Sequence, residues 1–260
     1  MTPQDRRLIA ARLVEAARTR TATTPVSNDV AGLTPDVAYD IQAEVVADRV
    51  AAGHPVIGAK LGLTSAAKQL QMNVSEPLYG WLTSDMRIDH GQDLRCGDFI
   101  QPRCEPEIAF RLGRDLAGPG VGASDVLAAT ELVFPAIDVL DSRFTGYSFT
   151  LPDVIADNSS SAAFVTGGSG VDPRGLDLRL VGVVLERNGR LVATASGAAV
   201  LGHPAASIAW MVRRLSTRGE GLSAGMTILC GALTEAVAVA PGDSIVVSID
   251  RIGSIGLACR

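Results

Sequence analysis

The spacing of apolar residues changes near residue 53, and this change limits most strongly what the chain can fold into. Before it, apolar residues recur at helical spacing in two stripes, separated by a polar connector over residues 21–28. The stripes are Leu8, Ile9, Leu13 and Ala16, then Ala38, Ile41, Val45 and Val50. This spacing predicts two helices, and Thr34 followed by Pro35 is a typical start for the second one.

After Gly53, short apolar segments separated by turn signals predict strands. They cover residues 56–63, 106–112, 131–140, 179–186, 191–200, 226–230 and 244–249. Helical patterns return near residues 123–129 and 204–217, and Thr64 or Ser65 is suited to cap a short helix through Met72. The sequence therefore predicts an α+β fold, with an N-terminal helical segment over residues 1–53 and a mostly β domain over residues 54–260. The two parts are also compatible with one domain over residues 1–260.

Charge and hydropathy exclude several classes of function. The net charge is −5 and no Lys/Arg cluster forms a basic stripe, so we expect no nucleic-acid partner. No apolar stretch reaches the roughly 20 residues that span a bilayer, and the N-terminus lacks a signal-peptide core. The four cysteines show no C-x-x-C spacing, which is typical of free thiols in a reducing compartment. We therefore expect a cytoplasmic protein that does not bind membranes.

Two glutamates one residue apart, Glu105 and Glu107, lie in a predicted strand. Because side chains alternate along a strand, both point to the same face, whereas Cys104 points to the other. One interpretation is a solvated strand face. The other is a site for Mg²⁺ or Mn²⁺, since these cations prefer carboxylate oxygens. Asp138 lies inside an apolar run and needs a buried partner, so it is a candidate third carboxylate.

Two further features have both an ordinary and a functional interpretation. Lys60 stands alone in an apolar, glycine-rich strand, where a lysine either extends to the surface or serves as a catalytic group. The polar run over residues 157–161 is typical of a turn or helix cap, and alternatively supplies hydrogen-bond donors to a ligand. His54, His90 and His203 are isolated and have no metal-ligand spacing.

Six segments, taken in order, resemble one known family. They are Gly58–Ser65, Pro102–Glu107, Asp138–Arg143, Ala156–Ser160, Gly197–Pro204 and Gly231–Asp243. They are similar to the branch of the fumarylacetoacetate hydrolase superfamily that contains 2-keto-4-pentenoate hydratases and 4-oxalocrotonate decarboxylases. The resemblance runs from about residue 30 to the C-terminus and implies the mixed β fold of that superfamily.

The resemblance also implies a set of site residues and partners. Glu105, Glu107 and Asp138 match the ligands of Mg²⁺ or Mn²⁺, although this branch usually has Glu at the third position. Lys60 matches the active-site lysine. The implied substrate-lining residues are Leu61, Leu78, Asn158, Ser159 and Ser160. The family implies a 2-oxo acid substrate, homo-oligomers and, for the decarboxylases, association with a partner hydratase.

The residue at position 78 separates the two reactions within the branch. Hydratases carry an acid in a segment like Pro-Asp-Phe-Gly, whereas the decarboxylases carry an aliphatic residue, as Leu78 is here. The resemblance therefore favours metal-dependent decarboxylation of 2-oxo-3-hexenedioate to 2-hydroxypenta-2,4-dienoate, with hydration of 2-hydroxypenta-2,4-dienoate as the alternative. Two other possibilities remain: a non-catalytic protein with a structural metal, and an acylpyruvate hydrolase, which Asp138 favours.

Overall fold

The computed structural model describes residues 1–65, 69–70 and 74–260. Helices in the described residues are α1 (Pro3–Thr19), α2 (Pro35–Ala51), α3 (Ala123–Ala129), α4 (Leu151–Ala156) and α5 (Pro204–Ser216). Thr34 caps α2 as predicted, since its hydroxyl accepts a hydrogen bond from the Val37 backbone NH at 3.4 Å. The short helix predicted through Met72 falls mainly on residues 66–68 and 71–73, outside the described residues.

The β structure is dominated by one large mixed sheet. The strands are β1 (Val56–Gly62), β2 (Leu78–Thr83), β3 (Arg103–Leu112), β4 (Leu116–Ala117), β5 (Thr130–Leu140), β6 (Ser161–Thr166), β7 (Gly182–Arg187), β8 (Arg190–Ser196), β9 (Gly221–Leu222), β10 (Thr227–Leu229), β11 (Val237–Ala238), β12 (Ser244–Ile249) and β13 (Gly253–Ala258). Seven strands form the large sheet in the order β2-β1-β10-β3-β5-β6, with β11 also paired to β3. β1 runs parallel to β10, and the other pairs in this sheet are antiparallel. A second sheet has the order β13-β12-β7-β8, and β4 pairs with β9.

The large sheet curls until its two edges meet. Arg87, just after β2, forms a bridge with Phe164 of β6, and the Ile88 backbone NH donates to the Phe164 carbonyl at 2.8 Å. The concave side encloses a small apolar cluster of Leu82, Met86, Ala109, Phe134, Ala136, Phe164 and Leu229. The convex side packs against the helices in the main hydrophobic core. Side chains on the concave face therefore point into an enclosed space.

The N-terminal helices share this main core with the sheet. Leu13 of α1 and Ile41 of α2 belong to the same buried cluster as Ile108 of β3 and Ile137 of β5. α2 also packs against α4 and β2. The division at residues 53 and 54 stays a prediction, and the shared core favours the alternative of one cooperative unit.

The predicted order of helices followed by a mostly β body is confirmed, but the strands β2, β6 and β13 and the two-residue strands β4, β9 and β11 were not predicted. β6 and β13 are rich in Ala, Ser and Gly, residues with low strand propensity. The predicted strand over residues 191–200 ends early, because Gly197–Ala199 form a 3₁₀ turn. Among the described residues, no helix has the length and apolar character needed to cross a membrane.

Candidate metal centre and cavity

Three carboxylates meet on the concave face of the curled sheet. Glu105 and Glu107 lie on β3, and the register between β3 and β5 places Asp138 directly opposite Glu105. One carboxylate oxygen from each residue lies within 4.8 Å of the other two. Glu105 is 7% exposed, and Glu107 and Asp138 are fully buried at 0%. The two glutamates therefore face an enclosed site, which excludes the solvated strand face considered from the sequence.

Lys60 supplies a positive charge to this site. Its side chain is 1% exposed, and its Nζ donates a hydrogen bond to Asp138 Oδ2. β1 brings Lys60 there because β1 pairs with β10, which in turn pairs with β3. The side chain is therefore buried against a carboxylate, and the alternative of a lysine that extends to the surface is excluded.

Glu107 is held from one side by the backbone at Gly231. The Gly231 NH donates to Glu107 Oε2 at 2.6 Å, while Glu107 Oε1 is buried without a hydrogen-bond partner. Gly231 has φ +110°, and a Cβ at this position would lie 2.1 Å from Thr64 Oγ1. Only glycine fits here, because a side chain would be strained and would collide with Thr64.

The donor set fits a hard divalent cation. When ionised, the three carboxylates carry three negative charges against one from the Lys60 ammonium, leaving −2 in a buried site. Burial, and then the negative charge of Asp138, raise the pKa of Glu107 well above its usual range, with Lys60 opposing the shift. A dication would balance the charge and would take the unsatisfied Glu107 Oε1 as a ligand.

A strained turn lies beside the carboxylates. Asn158, Ser159 and Ser160 have φ of 50°, 58° and 52°, a left-handed conformation that non-glycine residues adopt rarely and at a cost. Gly62 and Gly80 give the turn room, since a Cβ at either position would lie 3.1 Å or less from the Ser159 side chain. The strands β1 and β2 are thus shaped to admit this turn.

Two anchors hold the turn in place. The Asn158 side chain accepts from the Trp81 NH at 2.8 Å and donates to the Trp81 carbonyl at 2.9 Å. Next to it, Arg143 donates to the carboxylate and carbonyl of Asp157 and to the Ser161 carbonyl at 3.1 Å. Burial raises the pKa of Asp157 to about 6, although the Arg143 charge opposes this shift. Buried charge of this kind is stable only when it is paired and hydrogen-bonded.

A cavity of about 340 Å³ opens beside the carboxylates. Its lining combines polar and apolar side chains: Lys60, Leu63, Leu78, Arg103, Glu105, Leu140, Tyr147, Phe149, Val154, Ser159, Ser160 and Glu235, with Gly62 and Ala236. Its volume lies in the range of small-molecule sites.

The cavity brings together some of the predicted substrate-lining residues and not others. Leu78, Ser159 and Ser160 line it. Leu61 instead lies in the main core on the convex side, because it follows Lys60 on β1 and therefore points the opposite way. Asn158 directs its side-chain amide to Trp81, as described above, so it supports the turn rather than facing the cavity.

The comparison with known proteins identifies the family of the chain. The family model described as fumarylacetoacetate (FAA) hydrolase C-terminal matches residues 50–257. The chain belongs to the fumarylacetoacetate hydrolase family. Within it, the chain is 44% identical over 230 residues to a 4-oxalocrotonate decarboxylase of Pseudomonas sp. (strain CF600), covering 88% of this chain and 87% of the relative. It is 39% identical over 255 residues to a 2-keto-4-pentenoate hydratase of Paraburkholderia xenovorans (strain LB400), a match that covers 98% of this chain and 95% of the relative.

Solved structures of this family show the same fold. The structure of 4-oxalocrotonate decarboxylase from Pseudomonas putida G7, complexed with magnesium and adipate, matches with a TM-score of 0.97 at 39% identity. The match covers 100% of this chain and 99% of that one. A second structure of that protein, complexed with calcium and acetate, matches with a TM-score of 0.96. The mixed β fold expected from the sequence is confirmed.

Sequence reasoning missed Arg103 and Tyr147, both of which line the cavity. A signal for Arg103 was present, because it precedes Glu105 by two residues and so shares its strand face. Tyr147 gave no such signal, since it reaches the cavity through the 3₁₀ turn Thr145–Tyr147, where its φ is +57°.

Proposed function

We propose that this protein is a metal-dependent lyase that decarboxylates 2-oxo-3-hexenedioate (4-oxalocrotonate) to 2-hydroxypenta-2,4-dienoate. The observation that carries the proposal is the cavity wall, where the aliphatic Leu78 lines the same space as Lys60 and Glu105. The alternative is hydration of 2-hydroxypenta-2,4-dienoate, which the similarity to the Paraburkholderia hydratase supports.

Two comparisons support a dicarboxylate substrate. The 44% identical relative from Pseudomonas sp. is a 4-oxalocrotonate decarboxylase. The G7 decarboxylase, which superposes over the whole chain, was crystallised with magnesium and adipate. Adipate is a saturated six-carbon dicarboxylate, and the proposed substrate is an unsaturated six-carbon dicarboxylate with a 2-oxo group.

Glu105, Glu107 and Asp138 would hold the cation, either Mg²⁺ or Mn²⁺, which when bound supplies a Lewis acid at the 2-oxo end of the substrate. In the reaction the bond between C5 and C6 breaks and C6 leaves as CO₂. The electron pair moves through the C3–C4 double bond to the 2-oxo oxygen, which is then protonated to give the dienol.

The chain's own residues have distinct tasks in this reaction. The Lys60 ammonium, held in the carboxylate cluster by Asp138, stabilises the negative charge that develops on the 2-oxo oxygen. Ser159 and Ser160 offer hydroxyl donors to the substrate from the strained turn. Apolar wall residues, with Leu78 among them, limit water around the carboxylate that leaves, which favours loss of its charge as CO₂.

Leu78→Asp tests the proposed choice between decarboxylation and hydration, and Leu78→Asn is the matched variant of the same shape without charge. We expect Leu78→Asp to lower the rate of CO₂ release more than Leu78→Asn does, because the new carboxylate repels the leaving carboxylate and attracts water. A Leu78→Asp variant that is folded, decarboxylates at the wild-type rate and gains no hydration would refute the role of Leu78.

Glu105→Gln separates a catalytic metal from a structural one. If the metal is catalytic, the variant keeps the wild-type circular dichroism spectrum and loses turnover. Loss of the folded state would favour the structural alternative, because a structural metal contributes directly to folding.

The family resemblance further supports a cytoplasmic homo-oligomer able to associate with a partner hydratase. Light scattering after size-exclusion chromatography, with the chain alone and mixed with a hydratase of the family, tests both associations. A monomer that elutes unchanged in the mixture would contradict them.

A further inference from the structure

Arg103 is a cation in the cavity wall whose side chain makes no hydrogen bond or ion pair with the other described residues. It lies on β3, two residues before Glu105, and lines the same cavity. Its guanidinium carbon stands 4.0 Å from the centre of the Tyr147 ring. No carboxylate among the described residues lies within ion-pair distance of it, although Glu105 and Glu235 line the same cavity. Arg143, by contrast, uses its donors on Asp157 and on backbone carbonyls.

Tyr147 fixes the orientation of the Arg103 guanidinium. Its hydroxyl donates to the Gln101 carbonyl at 3.2 Å, so the ring is fixed at its far end. The ring covers one face of the guanidinium, which leaves the N–H groups along its edge for a planar acceptor. A carboxylate is such an acceptor, and its two oxygens match the fork of the guanidinium.

The charges around the cavity also favour a cation at the position of Arg103. Lys60 and Arg103 are the described cations of the lining, and Lys60 already donates to Asp138. A dication bound by the carboxylate cluster would offset the charge there, but a substrate with two carboxylates brings further negative charge into the cavity. Arg103 is therefore the lining cation best placed to offset it.

We propose that Arg103 binds a substrate carboxylate through its guanidinium edge, with Tyr147 as the positioning residue. The proposal deepens the proposed function and rests on it for the class of substrate. A 2-oxo dicarboxylate offers two such groups, one next to the 2-oxo carbon and one at the distal end. Both share the same chemistry, and ligands that carry one or both groups distinguish them.

The test measures ligand binding by isothermal titration calorimetry in excess Mg²⁺, with adipate and pyruvate as probes. In Arg103→Met we expect the affinity for adipate to fall roughly 10- to 100-fold, as for the loss of a hydrogen-bonded charge pair. Arg103→Lys should recover part of this loss, because lysine keeps the charge but not the fork. Tyr147→Leu should weaken binding less than Arg103→Met does, since the guanidinium remains but its orientation is no longer fixed by the ring.

Arg111→Met is the matched control. Arg111 lies on the same strand, stands 5.4 Å from the Phe134 ring centre and pairs with Glu131 at 3.1 Å, away from the cavity lining. Its replacement should leave the affinity for both probes unchanged. Thermal unfolding of each variant checks that the fold is intact.

The outcomes are separable. Weaker binding of both probes to Arg103→Met assigns Arg103 to the carboxylate beside the 2-oxo group, whereas weaker binding of adipate alone assigns it to the distal carboxylate. Unchanged affinity for both probes in folded Arg103→Met, or a wild-type protein that binds neither probe, overturns the proposal. If the wild-type protein does not convert 4-oxalocrotonate while Arg103→Met still weakens adipate binding, the proposed function fails and the role of Arg103 stands.

Discussion

Replacing Arg143 by methionine removes the cation that holds the turn at Asn158–Ser160 against the sheet. Arg143 is 5% exposed and donates to the Asp157 carboxylate and to the carbonyls of Asp141, Asp157 and Ser161. Methionine fills much of the same space but donates nothing. The variant therefore leaves a buried carboxylate without its cation and three buried carbonyls without this donor.

The expected decrease in the free energy of unfolding follows from these contacts. Breaking one side of a buried ion pair costs about 3–5 kcal/mol. For a chain of this size, each kcal/mol lowers the melting temperature by about 2–4 °C, so we expect a decrease of about 6–20 °C in Arg143→Met. Turnover should fall as well, because Ser159 and Ser160 lose the support that holds their strained backbone.

The pH dependence gives a second, independent signature. The pKa of Asp157 is raised from 3.8 to about 6 in the folded state. The folded protein therefore favours the protonated form of Asp157. The stability that this residue contributes is fully present below the unfolded pKa of 3.8 and is lost as the pH rises through about 6. Arg143 opposes this shift, so the pKa of Asp157 should rise further in Arg143→Met, and the loss of stability then continues to higher pH. The stability gap between Arg143→Met and the wild-type protein should thus widen from pH 5 to pH 8.

Differential scanning calorimetry at both pH values measures these effects. The control is Arg174→Met, which removes an arginine from an exposed pair with Asp172 and should leave the melting temperature unchanged. An Arg143→Met variant that melts within about 2 °C of the wild-type protein, shows the same gap at both pH values and keeps full turnover would refute the argument that this pair supports the turn.

Two other predictions concern the carboxylate cluster. Glu107→Gln should keep the fold but abolish the rise in stability that Mg²⁺ gives the wild-type protein. That rise is about 2.7 kcal/mol at a Mg²⁺ concentration of 100 times Kd. Thermal unfolding with and without Mg²⁺ checks this, and an undiminished rise in the variant would exclude Glu107 as a ligand. Gly231→Ala should destabilise the protein by more than Gly242→Ala. Both glycines have positive φ, but only at Gly231 would the new Cβ collide with Thr64, so equal losses in urea unfolding would show that the close contact does not matter.

The sequence was enough to place Glu105 and Glu107 side by side, but it was not enough to place Asp138 and Lys60 next to them. Alternation along one strand is a local rule, so Glu105 and Glu107 had to share a face. The placement of Asp138 opposite Glu105 depends on the register between β3 and β5, and Lys60 arrives through the parallel pairing of β1 with β10. Such pairings between distant segments follow from the packing of the whole sheet. The apolar run around Asp138 suggested a third carboxylate, but only the family resemblance placed Lys60 in the same site.

Other parts of the site needed the structure for different reasons. A left-handed backbone at three consecutive non-glycine residues, Asn158–Ser160, is rare. It exists because Gly62 and Gly80 make room for it and Arg143 holds it. The position of Leu61 on the convex face was, however, accessible from the sequence. The alternation that places Lys60 in the site also turns Leu61 away from it.

Incubation of the purified protein with Mg²⁺ and 2-oxo-3-hexenedioate, followed by mass spectrometry, tests the central claim most directly. We expect loss of CO₂ and formation of 2-hydroxypenta-2,4-dienoate, both of which stop when EDTA is added. An untouched 2-oxo-3-hexenedioate, together with the addition of water to 2-hydroxypenta-2,4-dienoate, would contradict the claim and identify the protein as a hydratase.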